Sequence, residues 1–251
     1  MKILLTGVEH DGKRGMIGSS LKTLLESTNE ITVFEGDIRT PINWMKYYND
    51  RFDFVIHLAA LAGVRTSFEN PELYEDVNVN GTMQCFKFCK ERNIPVLYAS
   101  SSNAYEWWLN PYAMTKKATE HLAKGMGIRA IGMRFHTVWP GRDDMLFKKI
   151  ERGDIEYINA DHSRDYIHVD DLCSAIEAIL INFNLVSKNH KVVDIGTGKA
   201  VRTIDVWNKY GSPTDSGVQL RHGTSKGERI HTAANIDYLL DLGWQPRKDI
   251  L

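Results

Sequence analysis

Two side chains one helical turn apart carry the most chemistry in this chain. They are the phenol of Tyr112 and the ammonium of Lys116, in the run Tyr112-Ala113-Met114-Thr115-Lys116. On a helix, positions i and i+4 share a face, so the two groups meet. A tyrosine, which ordinarily titrates near pH ~10, is a weak base near neutrality, but an adjacent cation favours its phenolate. Such a pair could draw a proton from a hydroxyl. The spacing alone says little, because a chain with 10 tyrosines produces Y-x-x-x-K by chance about once. Its setting says more. Upstream, Val96-Leu97-Tyr98-Ala99-Ser100-Ser101-Ser102 reads as a buried strand ending in three hydroxyls, at the carboxyl edge where parallel sheets take their ligands. A serine there can hydrogen-bond a reacting oxygen.

A second set of residues points to a phosphate. KILLT leads to Gly7 and, after an insert over residues 8–14, to Gly15-Met16-Ile17-Gly18. Residues 7–13 fit G-x-x-x-x-G-K, yet a P-loop needs Ser or Thr next to ligate Mg²⁺, and Arg14 stands there. The remaining reading is a dinucleotide-binding turn with a stretched first spacing. Gly15 and Gly18 open a helix through SSLKTLLES whose N-terminus would face a pyrophosphate. An acid that holds the adenosine ribose is expected about 20 residues further on, and ITVFEGDIR offers Glu35 and Asp37. Acids in this place suit NAD rather than NADP. For Lys13 and Arg14 two roles stay open, capping the pyrophosphate or lying solvated.

These groups require elements that bring strand ends together. Short runs rich in Val and Ile (KILLT, ITVF, FDFVIHLA, IPVLYAS, IRAIGMRF) alternate with amphipathic stretches such as residues 72–92 and 112–124. That rhythm belongs to a doubly wound parallel sheet. The expected fold class is α/β, a Rossmann-type sheet with a small C-terminal substrate-binding lobe. Residues 1–137 would form the NAD-binding part, with 165–195 packing back on it, and 138–251 would supply most of the lobe. A chain of 251 residues, 43% hydrophobic, is large enough for such a core. Its 31 basic and 32 acidic residues leave a net charge of −1, so no global field draws it to nucleic acid or to an anionic membrane. No run approaches the roughly 20 apolar residues of a membrane span, and MKILLTG is too short for a signal peptide, so the expected location is cytoplasmic. Cys85 and Cys89 lie i, i+4 on a helix and read, with Cys173, as small buried hydrophobes. No His/Cys/Asp/Glu set has metal-ligand spacing, and His57 and His168 read as satisfied core groups.

The motifs also resemble a known family in their order. TG…GMIGSSL, DFVIHLAA, the NP…NVNGT stretch, YASSSNAY, YAMTKK, RDYIHVDDL, DIGTGK and the closing LGW are similar to the extended short-chain dehydrogenase/reductase family of nucleotide-sugar epimerases and dehydratases. Within it, HLAALAGVRTSFENP, YAMTKKATEHLA and RFHTVWPGRDDMLF most resemble UDP-glucuronate 4-epimerases. The resemblance implies Ser101, Tyr112 and Lys116 as the catalytic group. It implies a cofactor site from Gly7, Gly15, Met16, Ile17, Gly18, Leu58, Ala59, Ala60, Tyr112 and Lys116, with Asp37 and Ile38 beside adenine and Glu35 on the ribose. Ser101 and Ser102 would meet the sugar, Thr137 and Arg142 a uronate carboxylate, and Arg164 the UDP diphosphate.

The reaction so implied oxidises carbon 4 with NAD, turns the 4-keto sugar over, and returns the hydride to its other face. A 4-keto uronate is a β-keto acid that loses CO₂ unless its carboxylate is clamped. Family decarboxylases and dehydratases place Glu just beyond the catalytic Ser/Thr, where this chain has Ser102 and Asn103. The family also implies a homodimer through the helices around 72–92 and 112–124. Three departures stand out: the insert at 8–14, only ten residues between Ser101 and Tyr112, and Ser225 where a second phosphate arginine belongs, with Lys226 or Arg229 as substitutes. Other nucleotide-sugar epimerases, reductases and decarboxylases share the scaffold, and a non-catalytic NAD-binding regulator is the alternative from another class.

Overall fold

The structure, a computed structural model, describes the chain except Asp11, Asp143, Asp144 and residues 212–216. Six strands form one parallel sheet: β1 Lys2–Thr6, β2 Glu30–Val33, β3 Phe54–His57, β4 Val96–Ser101, β5 Ala130–Phe135 and β6 Val192–Ile195. Their order is β6-β5-β4-β3-β1-β2. The chain therefore reverses direction across the sheet beside β1, and the crevice at such a reversal is where α/β sheets bind ligands. A sheet covered on both faces reads as a continuous apolar run, and successive side chains still alternate between faces. Ile3 and Leu5 enter one core layer with Leu21, Ile56, Leu97 and Ile176, whereas Leu4 enters the other with Val55, Trp44, Phe86 and Tyr98.

Four long helices cover the faces: α1 Met16–Leu25, α2 Thr82–Arg92, α3 Pro111–Met126 and α4 Val169–Ile181. Helix α4 packs against α1, and α2 against α3. The three cysteines are buried and unbridged. Residues 72–92 do not make one helix. A short helix Pro71–Glu75 is followed by a wide π-type turn, Asp76–Gly81, before α2 begins. Such bulges re-aim side chains. This one directs Asn78 into the protein, where it accepts from the Leu61 amide at 2.8 Å and donates to the Leu61 carbonyl and to Thr115, both at 3.0 Å. The smaller lobe holds a three-stranded sheet, Thr137–Trp139, Ser163–His168 and Ala200–Arg202, and a pair formed by Tyr157–Asn159 and Gln219–Arg221.

The insert after Gly7 is an antiparallel hairpin of two-residue strands, Glu9–His10 and Lys13–Arg14. Its neck is closed, because the Gly15 amide donates to the Val8 carbonyl at 2.8 Å. The hairpin is thus extruded without opening the glycine turn.

Candidate active site

Strand β4 delivers Ser101 at its carboxyl end, buried, and the chain turns there through a 3₁₀ segment, Ser102–Leu109. Asn110 then caps α3, its side chain accepting from the Ala113 amide at 2.7 Å, and Pro111 occupies the first helical position. A side-chain cap and a first-turn proline both fix where a helix begins. Tyr112 is consequently set in the first turn, facing back over the strand end. Its phenol faces the Ser101 hydroxyl, which favours the phenolate as a hydrogen-bond donor. The Ser101 hydroxyl oxygen in turn accepts from the Asn103 backbone and side-chain amides at 3.2 and 3.3 Å, which leaves its own proton for a partner. Reading by motif did not single out Asn103 as the partner of Ser101.

Lys116 lies one turn on, buried, donating to the Ala99 carbonyl at 3.0 Å with its ammonium 6.0 Å from the Tyr112 ring centre. Burial pushes that ammonium down to about 8. Burial also raises the Tyr112 phenol, an effect opposed by the Ser101 hydrogen bond and by the charge of Arg142. Arg142 reaches the site from the lobe: its Nη2 lies 3.7 Å from where a Cβ on Gly63 would stand. Gly63 has φ +126°, a conformation that favours glycine. Beside it, Tyr74 meets the Tyr112 ring edge-on at 6.3 Å.

The proposed cofactor residues gather at the ends of β1 and β3. The hydroxyl of Thr6 accepts from the amides of Leu58 and Ala59, both at 3.1 Å. Gly7, at φ +81°, presses against that segment so closely that a Cβ would stand 2.6 Å from the Ala59 nitrogen. Any Cβ on Gly15 or Gly18 would collide with the Gly7 carbonyl. The first turn of α1, with Met16 and Ile17, therefore sits directly on the strand end, and no side chain caps it. A phosphate fits such uncapped amides. Glu35 is exposed just beyond β2, and Ile38 is buried. Asp37 is bound by Arg39, whose Nε lies 3.0 and 2.9 Å from its two oxygens and whose other arm reaches Asp76 at 2.8 Å. Both Asp37 oxygens are thus engaged by Arg39, whereas Glu35 is exposed.

A cleft beside Ser102 and Asn103 is lined by Thr137, Arg164, Glu228 and Arg229. The sequence-predicted Thr137 and Arg164 thus share one wall. Arg164 donates to the Ser163 and Ile230 carbonyls, both at 3.0 Å, and lies 3.5 Å from Glu228. Arg229 donates to the Ser102 carbonyl at 2.9 Å and to Glu106 at 3.3 Å, placing a second cation in that wall. Ser225 instead donates to Asn159 at 3.0 Å. Two histidines are satisfied away from this cleft: His57 bridges Thr6 and Thr82 at 2.8 and 3.1 Å, with burial and then the Lys116 charge pushing its pKa to about 3, and His168 caps α4.

Residues 11–196 match the family model described as the NAD dependent epimerase/dehydratase family. The chain belongs to that family. Among curated relatives, an uncharacterized protein of Methanocaldococcus jannaschii is 32% identical over 189 residues, 63% of this chain and 56% of its own length. UDP-glucuronate 4-epimerase 4 of Arabidopsis thaliana is 33% identical over 191 residues, 63% of this chain and 44% of its own length. The chain thus spans about half the length of these curated relatives. Among solved structures, MoeE5 in complex with UDP-glucuronic acid and NAD superposes with a TM-score of 0.81 at 26% identity, covering 100% of this chain and 95% of that one. The six-stranded sheet is the Rossmann-type sheet of these neighbours.

Proposed function

We propose that this chain is an NAD-dependent UDP-sugar 4-epimerase, with UDP-glucuronate as its sugar and Tyr112 as its general base. The observation that carries the reading is the convergence of Ser101, Tyr112 and Arg142 from three separate elements on one end of the sheet. Gly7, Gly15, Met16, Ile17 and Gly18 would hold the cofactor pyrophosphate, Glu35 its ribose, and Ile38 with Leu58, Ala59 and Ala60 its flank. When bound, NAD supplies the acceptor and donor of a hydride at carbon 4 of the sugar.

Ser101 hydrogen-bonds the carbon 4 oxygen and passes its position to Tyr112. Tyr112 takes the hydroxyl proton as that carbon is oxidised and returns it after the sugar has turned over. Lys116, tied to the Ala99 carbonyl, fixes the helical turn that carries the phenol. Thr137 and Arg142 hold the uronate carboxylate, and a guanidinium is suited to that by its planar pair of donors. Arg164 and Arg229 meet the diphosphate, with Ser102 at the sugar. Helices α2 and α3 pack against those of a second copy to give a homodimer.

UDP-glucose is the second reading, favoured by a structural relative: MoeE5 is also known in complex with UDP-glucose and NAD, at 26% identity and a TM-score of 0.81. Incubating the protein with NAD and each nucleotide sugar in turn, followed by chromatographic product analysis, separates the two. The proposal expects UDP-galacturonate from UDP-glucuronate and much slower turnover of UDP-glucose; the reverse preference overturns the substrate assignment. Light scattering tests the dimer, which a monomer at working concentration contradicts.

A further inference from the structure

We propose that Glu228 is a resident anion in the cleft wall, which an incoming diphosphate must displace to reach Arg164, so that this carboxylate selects ligands by charge. The proposal rests on the reading above, which takes Arg164 to the diphosphate, and deepens it by naming the group that stands in the way. Glu228 is half-buried among groups from distant parts of the chain. Arg65, on the helix Val64–Glu69, reaches its Oε1 at 3.3 Å. Asn159 and Arg164 reach its Oε2 at 3.4 and 3.5 Å, and the His162 ring stands 3.6 Å away. All of these exceed the roughly 3.0 Å typical of such bonds, so the carboxylate is shared loosely. The cations of the same wall are fixed more closely. Arg164 donates to the Ser163 and Ile230 carbonyls and to His162, all at 3.0 Å, and Arg229 donates to the Ser102 carbonyl at 2.9 Å.

The backbone before Glu228 is pinned. Gly227 has φ +75° and lies so near Phe68 that a Cβ would stand 2.5 Å from its ring, and the Gly227 carbonyl accepts from the Asn110 side chain at 2.8 Å. What can move is therefore the Glu228 side chain. Some part of the wall has to, because the cleft holds about 140 Å³, below the roughly 300 Å³ at which small-molecule sites begin. Both Nη1 protons of Arg164 go to carbonyls and one Nη2 proton goes to His162. The Nη2 proton turned toward Glu228 is the one that an anion can take over. A diphosphate that entered with Glu228 in place would face a like charge, which costs affinity, and one that displaces it must break the contacts just described. Either way the diphosphate binds more weakly than the arginines alone would allow. Once displaced, Glu228 leaves Arg164 and Arg65 to the diphosphate beside Arg229, whereas a neutral nucleoside gains nothing by moving it.

The test is calorimetric titration of UDP and of uridine into the NAD-loaded protein and into its Glu228→Gln variant, which keeps the size of the side chain and removes its charge. UDP is expected to bind the variant on the order of tenfold tighter, with no gain for uridine. Glu228→Asp, which keeps the charge, should stay close to the parent. UDP binding that is unchanged or weaker in Glu228→Gln overturns the proposal, and a matching loss for uridine would make Glu228 a ligand of the nucleoside instead. An equal gain for uridine overturns it too, since charge would not be the cause. A crystal structure of the parent with UDP reads the same point without a variant. Glu228 should have left Arg164 there, and a carboxylate still shared between Arg164 and Arg65 beside bound UDP contradicts displacement. If the parent binds neither ligand, the nucleotide-sugar reading falls and this proposal with it; if the parent binds UDP and the variant shows no gain, this proposal falls alone.

Discussion

Replacing Glu120 by Gln tests how the helix bearing the base is held. Glu120 lies about two turns beyond Tyr112 on α3. Its carboxylate accepts from Arg134 Nε and Nη2, both at 2.7 Å, from the Ser100 hydroxyl at 2.7 Å and from Lys117 at 3.2 Å. The Glu120 side chain is 5% exposed and that of Arg134 13%, so this is a buried pair joining α3, β4 and β5. Removing one charge of a buried pair strands the other, at a cost of about 3–5 kcal/mol. In a domain of this size that is a fall of roughly 6–20 °C in melting temperature. Burial raises the Glu120 carboxyl, but the hydrogen bonds from Arg134 and Ser100 outweigh it and hold the group below its ordinary 4.5. A depressed carboxylate contributes its stability above the unfolded pKa and loses it as pH falls through the folded one. The gap between the parent and Glu120→Gln should therefore be full at pH 7 and shrink as the pH drops below about 4.5. Urea denaturation across that range measures it. Pairing Glu120→Gln with Arg134→Met should recover much of the loss. A cost under about 1 kcal/mol at pH 7, with no such recovery, would refute the argument.

Other expectations follow from the same packing. Gly18→Ala would drive a methyl into the Gly7 carbonyl and should weaken NAD binding on the order of tenfold or more by calorimetry, whereas Gly125→Ala, in open space on α3, should gain about 0.5–1 kcal/mol. Unaltered NAD affinity in Gly18→Ala would mean the turn is not the phosphate cradle. Lys116→Met should abolish epimerisation yet stabilise the fold at pH 7. Burial lowers that ammonium from 10.5 to about 8, which disfavours the charged form by roughly 3 kcal/mol, less what the Ala99 hydrogen bond returns. The sign is opposite to that of Glu120: between pH 8 and 10.5 the unfolded chain binds more protons, so the parent gains stability as pH rises. Thermal melts that show Lys116→Met less stable than the parent at pH 7 would contradict this.

Five of the six sheet strands were legible because each is a short run rich in Val, Ile or Leu with a turn signal behind it. The sixth, Val192–Ile195, was read only as part of a segment, 165–195, packing back on the sheet. The helix break at Asp76–Gly81 falls on poor helix formers, DVNVNG, but propensity alone does not specify a π-type turn there. Its cause is tertiary: Asn78 bonded to Leu61 and Thr115, and Ile38 occupying the space a Gly81 side chain would need, its Cδ1 2.7 Å from the Cβ position. Of the site, Ser101, Tyr112 and Lys116 were readable from spacing and motif because helix and strand periodicity fixes their faces. Asn103 and Gly63 were not, since each matters through a contact made across the fold. The role of Asp165 was also hidden. It accepts from the amides of Thr197, Gly198 and Ala234 at 2.7, 2.9 and 3.0 Å, tying the DIGTGK turn to the lobe.

The most direct test of the account is proton NMR of UDP-glucuronate with the purified protein and catalytic NAD, run beside Tyr112→Phe. The account predicts that UDP-galacturonate resonances grow in with the parent protein and stay absent with the variant. Product formed at an equal rate by Tyr112→Phe would remove the phenol from the chemistry, and an untouched sugar in both samples would contradict the assignment of UDP-glucuronate.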